Sequence, residues 1–303
     1  MGRSLAVILP LILWIHSSIY AQQPAERDSS WQLIWHDEFD VPLNRDTWHS
    51  EHGFVRNHEA QWYQAENAFT EDGLLVLEAR LDSIPNPRYR KGSNDWQRQR
   101  PYAKYSSASV NTRKSFSFKF GQMEVRARIP AVEGSWPAIW TLGMSYPWPS
   151  CGECDIMEFY HIKGIPHILA NAAWGENKPF HPLWNTKAIP YSHFLEKDPL
   201  WSQQFHTWLM DWTEDYIRIY LDGELINDID LSKTINGSIG NNTNPFHSPH
   251  YILLNLALGG DNGGRISDDT FPLKYEIDYV RVWQRKKEEA GPPPSSFPPF
   301  GRG

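Results

Sequence analysis

Cysteine is almost absent: Cys151 and Cys154 are the only two in 303 residues. That excludes a disulfide scaffold. Three residues apart on a strand, they would lie about 10 Å apart and face opposite ways, whereas a disulfide needs Cα atoms within about 7 Å. Two free packing thiols are expected. A metal role is disfavoured because no second Cys pair or His-x-x-x-His partner accompanies them. Long apolar runs are also missing. Leu5 to Ile15 is too short to span a bilayer comfortably. No repeat of 20–50 residues occurs, and no long segment of helical period follows the N-terminus. Lys and Arg number 29 against 36 Asp and Glu, a net charge of −7, which argues against nucleic acid as a partner.

What is present reads as one exported all-β unit. Arg3, the apolar stretch and a small residue at Ala21 make residues 1–21 a secretory signal peptide. An uncleaved anchor is the alternative. The mature protein is expected to be secreted, periplasmic or at the cell surface, with no membrane span, as a monomer. Residues 22–30 are assigned to a flexible segment, 31–284 to a single folded domain and 285–303 to a flexible Pro-rich tail. Between Trp31 and Gln284, short strand-like runs alternate with turns. Examples are Leu74–Ala79, Gln122–Ile129, Tyr216–Leu221, Tyr251–Leu256 and Tyr275–Val282. Many short strands with turns predict a β-sandwich. Pro85–Lys104 and Gly175–Gln204 lack strand character and are expected to wall a cleft. Fifteen Trp are many. Trp96, Trp148, Trp184 and Trp201 lie in polar or Gly/Pro-rich surroundings that suit exposed platforms for sugar rings.

The acids Glu153, Asp155 and Glu158 carry the chemistry. Side chains alternate faces along a strand, so Glu153 and Asp155 share a face and Glu158 falls on the other. A β-bulge around Ile156–Met157 would bring all three together. Crowded carboxyls split their pKa values, leaving one ionised and one protonated near neutral pH. A retaining glycosidase needs such a nucleophile and proton donor, roughly 5–5.5 Å apart. The alternative is an edge strand with solvated acids. Trp136, Trp140, Trp148, Phe159 and Tyr160 crowd the triplet with aromatics and argue against it.

Six segments together carry a resemblance: Trp35-His36-Asp37-Glu38-Phe39, Asn57 to Tyr63, Gly134 to Trp140, the triplet, Leu254-Asn255-Leu256-Ala257-Leu258-Gly259-Gly260, and Ile277 to Val282. The chain resembles glycoside hydrolase family 16, laminarinase type, in its bulged Glu-x-Asp-x-x-Glu subgroup. The resemblance implies a jelly-roll β-sandwich of two antiparallel sheets with a concave substrate cleft. It implies endo-acting, retaining hydrolysis of a β-linked polysaccharide without a catalytic cofactor. It assigns Glu153 as nucleophile, Glu158 as acid/base and Asp155 as the residue tuning both. It assigns Asn57, Trp136, Trp140, Trp174 and Asn255 to sugar contacts, and Glu38, Gly73 and Asp278 to a structural calcium. The backbone carbonyls of Glu38 and Gly73 and the carboxylate of Asp278 would bind the ion; a plain strand-end carboxylate is the other reading of Asp278. The chain also departs from the pattern. Trp174 and Ala170 stand where His and another polar group are usual, and Ser109 where an Arg is usual. The substrate expected first is a β-1,3-glucan. An endo-β-galactosidase acting on agar-type, keratan or mucin-like chains is the alternative within that chemistry. A transglycosylase would use the same residues. A non-catalytic carbohydrate-binding sandwich is the alternative of another class.

Overall fold

The computed structural model describes residues 27–286. The signal peptide and most of the tail named above lie outside them. Two sheets face each other. A seven-stranded sheet runs, in spatial order, through Pro182–Pro190, Ile165–Gly175, Glu153–Ile162, Ser135–Gly143, His250–Leu258, Ser109–Asn111 and His49–Ser50. A ten-stranded sheet is centred on Gly121–Arg128 and Leu273–Arg285. Each run read as a strand forms one. The pairing is antiparallel except between Gln61–Tyr63 and Tyr105–Ser107, which run parallel. The result is an all-β jelly-roll sandwich. No helix among the described residues is long and apolar enough to cross a membrane.

Period two explains the layers. Along Leu273–Arg285, Leu273, Tyr275, Ile277, Val280 and Val282 enter the core, with a register shift between Ile277 and Tyr279. Trp48, Trp208 and Trp212 are fully buried there. Two of the three indoles are satisfied where the core meets backbone or acid: Trp48 Nε1 donates to Asp37 Oδ2 (2.9 Å) and Trp212 Nε1 to the Phe246 carbonyl (3.1 Å), while Trp208 Nε1 is buried without a partner. The tryptophan excess is therefore largely a core property. Trp201, read as an exposed platform, is 4% exposed and stacks on His206 at 3.8 Å. Both cysteines are free and buried, as expected.

Three boundaries need correcting. Arg27, placed in the flexible segment, is docked: it donates to Gln122 and Glu124 and lies 4.6 Å from the Trp283 ring. Arg285, placed in the tail, ends a strand and donates to Ser30 Oγ. The stretch Gly175–Gln204 contains the strand Pro182–Pro190 and the helix Ser192–Lys197. Two of its four prolines, Pro182 and Pro190, sit at the ends of an edge strand, where a missing N–H costs no ladder bond.

Candidate active site

The strand Glu153–Ile162 lies third from one edge of the seven-stranded sheet. Glu153 and Asp155 pair with Leu142 and Trp140; the register then skips, and Met157 and Glu158 pair with Ile139 and Ala138. On the other side Asp155 faces Asn171 and Glu158 faces Leu169. The anticipated bulge is present. Ile156 and Met157 both enter the core, so the triplet returns to one face.

Each glutamate is held by an indole. Trp136 Nε1 donates to Glu158 Oε1 (2.8 Å), and Asn171 Nδ2 donates to Oε2 (2.7 Å). Trp148 Nε1 donates to Glu153 Oε2 (2.6 Å). Hydrogen bonds to a charged group contribute roughly 1.5–3 kcal/mol each, enough to lock a rotamer. Asp155 lies between them, 2% exposed. Its Oδ2 has no N–H donor. Such an oxygen beside two carboxylates is relieved by protonation, which makes it a donor toward Glu153.

All three pKa values rise, burial being the largest cause in each case. Asp155 goes well above the carboxylate range, with the charges of Glu158 and Glu153 adding to burial. Glu158 is pushed up to about 7 against the opposing hydrogen bond from Trp136. Glu153 rises too, opposed by hydrogen bonds from Trp148 and Asp155. Near neutrality Glu158 therefore stands near its midpoint, beside two carboxyls that burial also pushes toward the protonated form. A group so poised can serve first as acid and then as base.

The triplet opens into a cleft of about 800 Å³, lined also by Arg56, Asn57, Trp140, Tyr160, Trp184 and Asn255. Trp140 Nε1 donates to Asn255 Oδ1 (2.7 Å), and Asn255 Nδ2 to the Tyr63 hydroxyl (3.2 Å), which fixes the floor. Arg56 lies 5.2 Å from the Trp140 ring and pairs with Glu51, whose Oε2 also accepts from Ser109 Oγ (2.6 Å). Arg56 is thus a cation at the cleft, and it shares its partner Glu51 with Ser109. That partner is only five residues away, but the approach of Arg56 to the Trp140 ring is long-range and left no local sequence signal. Trp148 and Trp184, 37% and 45% exposed, are open aromatic faces beside Glu153.

Of the residues expected to touch sugar, Asn57, Trp136, Trp140 and Asn255 line the cleft. Trp174 does not. It is 9% exposed and packs in the main core with Ala170 and Ala172. The strand's alternation explains this. Asn171 and Ala173 lie opposite Asp155 and Glu153, so the neighbouring even-numbered residues point inward. Asn171, like Arg56, is a cleft residue that the sequence reading missed.

The residues named for calcium converge only in part. One edge of Leu273–Arg285 pairs with Leu74–Pro85 as far as Ile277 and with Trp31–Asp37 from Val280 onward. Gly73 and Glu38 flank that gap, beside Asp278. However, the Asp278 carboxylate pairs with Arg126, and that of Glu38 with Arg281 (2.9 and 2.7 Å). Among the described residues no group of three or more His, Cys, Asp or Glu is arranged to hold a metal ion. The backbone donors suit a hard cation, whereas the one expected carboxylate is occupied by a guanidinium.

Known proteins agree with this geometry. A beta-glucanase of Rhodothermus marinus is 30% identical, covering 94% of this chain and 95% of its own. The laminarinase catalytic domain of Thermotoga maritima superposes with a TM-score of 0.68 at 30% identity, over 85% of this chain and 100% of that one. A structure from work on endo-acting O-glycanases that initiate mucin breakdown, expressed by human gut microbiota, superposes with a TM-score of 0.76 at 33% identity, over 87% and 94%. The model of glycosyl hydrolases family 16 matches residues 54–281. With the bulge, the jelly roll and the three acids in place, this chain belongs to glycosyl hydrolases family 16.

Proposed function

We propose that this glycoside hydrolase cleaves internal β-linkages of a polysaccharide with retention, through Glu153 and Glu158. The observation that carries the roles is the unequal environment of the two glutamates across the bulge. Glu158, pushed up to about 7, gives its proton to the leaving oxygen as the C–O bond breaks. Ionised Glu153, oriented by Trp148, attacks the anomeric carbon and forms a glycosyl ester. Deprotonated Glu158 then takes a proton from water, which attacks that carbon and returns Glu153 as carboxylate. Asp155 keeps its proton throughout and screens Glu153 from Glu158. A panel of polysaccharides with product sizing and early NMR of the new reducing end tests this. Random mid-chain cuts releasing the β-anomer are expected; the α-anomer would refute the nucleophile.

A β-1,3-glucan is the first substrate supported, by the beta-glucanase and laminarinase relatives. A galactose-containing glycan is the second. It is supported by a keratan-sulfate endo-1,4-beta-galactosidase of Sphingobacterium multivorum, 28% identical over 84% of this chain and 56% of its own. Export through residues 1–21 and a monomeric state complete the proposal. A structural calcium at Glu38, Gly73 and Asp278 belongs to it as well, with Asp278 released from Arg126. Chelator should then lower the melting temperature and calcium restore it, because a ligand of the folded state alone stabilises it by mass action. An indifferent melting curve removes the ion.

A further inference from the structure

The segment from Pro85 to Lys104 carries Arg88, Arg90, Lys91, Arg98, Arg100 and Lys104 against a single acid, Asp95, in a chain of net charge −7. Three of the six cations have internal partners. Arg98 pairs with Asp95 and Lys104 with Asp268. Arg100 lies 4.0 Å from the Phe54 ring and donates to the Glu59 carbonyl (2.7 Å). Arg88, Arg90 and Lys91 are exposed, and none has an ion-pair partner among the described residues. The turn bearing them is nonetheless built. Buried Asn86 donates to the carbonyls of Gln97 (2.8 Å) and Arg100 (2.9 Å) and accepts from the Arg88 amide (3.0 Å). The Arg90 amide donates to the Arg98 carbonyl (2.9 Å). Exposed cations repel one another, so their display on an ordered turn calls for a ligand.

The turn is fastened to the cleft wall. Gln97 Nε2 donates to the Val55 carbonyl (3.0 Å), and the Trp96 ring lies 5.2 Å from His58. The same wall, residues 52–60, delivers Arg56, Asn57 and Glu59 to the cleft. On the wall's other side is a pocket of about 100 Å³. Phe54 and Trp62 line it together with His52, Asn86, Arg88 and Gln97. Phe54 and Trp62 are buried beneath it, and Arg88, Asn86 and Gln97 give it a polar, cationic rim at which a charged substituent can meet a guanidinium.

We propose that Arg88, Arg90 and Lys91, with the pocket beside Arg88, are an anion subsite that receives a sulfate or carboxylate substituent of the glycan. The glycan is then one whose units beyond Asn57 carry negative charge. This rests on the glycanase reading and adds the charge of the chain to it. Nearby acids do not cancel the patch: Asp95 is paired with Arg98, Glu51 with Arg56, and Glu59 lies in the cleft proper.

The test uses the full chain with three forms of one galactan: sulfated, chemically desulfated, and oxidised to carry carboxylates. At low ionic strength the sulfated or carboxylated form should be cut with a kcat/KM about three- to tenfold above the neutral form, the scale expected of a few exposed charge pairs. Salt at roughly 0.5 M should erase the difference. Combining Arg88→Ser, Arg90→Ser and Lys91→Ser should also bring the ratio to one. Preference for both anions or for sulfate alone supports the subsite and separates the two sources. A ratio near one in the native chain, or one unchanged by the triple substitution, overturns it. If none of the three forms is cut, the glycanase reading fails on this backbone. Titration of the sulfated and desulfated chains onto native and triple-substituted protein then decides the subsite by the same ratio in Kd.

Discussion

Trp148 Nε1 donates to Glu153 Oε2 at 2.6 Å, as Trp136 Nε1 does to Glu158 Oε1 at 2.8 Å. The two indoles do one job from different supports. Trp136 is 6% exposed, within the strand Ser135–Gly143. Trp148 is 37% exposed, on the loop that follows. That loop is closed by two glycines whose amide and carbonyl meet at 3.0 Å, Gly143 N to Gly152 O. A side chain at Gly143 would strike the Cys151 carbonyl. Gly152 has φ +82, and a side chain there would strike Pro245. The backbone geometry aims Trp148 at Glu153.

Trp148→Phe keeps the ring and deletes the donor. Glu153 then loses a bond that lowers its pKa, so the acid limb of the activity profile should move to higher pH. The kcat should fall by about tenfold, the scale of one charged hydrogen bond, with KM little altered. A shifted KM with an unmoved acid limb would make Trp148 a sugar platform only.

Much of this site was legible by counting. Alternation plus one bulge put Glu153, Asp155 and Glu158 on a face, and the register confirms the bulge. The same counting applied to the next strand would have found Asn171. Lys163 and Gly164 both have positive φ and turn the chain between Ile162 and Ile165. Counting back from that turn sets Leu169 opposite Glu158 and, past the bulge, Asn171 opposite Asp155. Trp174 was instead assigned by likeness to a pattern, one residue out of phase, and a slip of one exchanges the faces. Arg56 and the strand Pro182–Pro190 were not legible. The first is placed by Glu51 and Trp140. The second is an edge strand whose prolines mimic a loop.

Glu153→Gln removes the group that attacks carbon while preserving the Trp148 acceptor. Turnover should fall by at least about a thousandfold with an unchanged melting temperature. Asp155→Asn should cost less, because Asp155 acts through its neighbours. Near-native kcat in the first variant would sink the nucleophile.

Trp174 and Trp184 should part company. Trp174→Ala opens a core cavity and should cost about 3–5 kcal/mol of stability, with kcat/KM per folded molecule retained. Trp184→Ala, at an exposed cleft position, should leave stability alone and weaken transition-state binding by about 1–3 kcal/mol. Denaturant melts and kinetics on both variants check the pair. The opposite pattern would return Trp174 to the cleft.

The pH dependence follows from Glu158. Its pKa rises from an ordinary 4.5 to about 7 on folding, chiefly because burial disfavours the charged form. Activity needs Glu158 protonated and Glu153 ionised. The profile should be bell-shaped, with its basic limb near 7 and its acid limb above the ordinary glutamate value. The same shift bears on stability. Between pH 4.5 and 7 the folded chain binds more protons than the unfolded one, so stability falls as pH rises through that window. Glu59, buried and also raised to about 7, adds in the same direction. Glu153 and Asp155, also raised, act in the same direction, and Glu158→Gln removes the share that belongs to Glu158. Its melting temperature should exceed that of the native chain at about pH 8 and match it near pH 4, while activity is lost at both. A variant less stable than the native chain at the higher pH would show that Glu158 stabilises the fold as an anion, and the acid/base role would lose its proton.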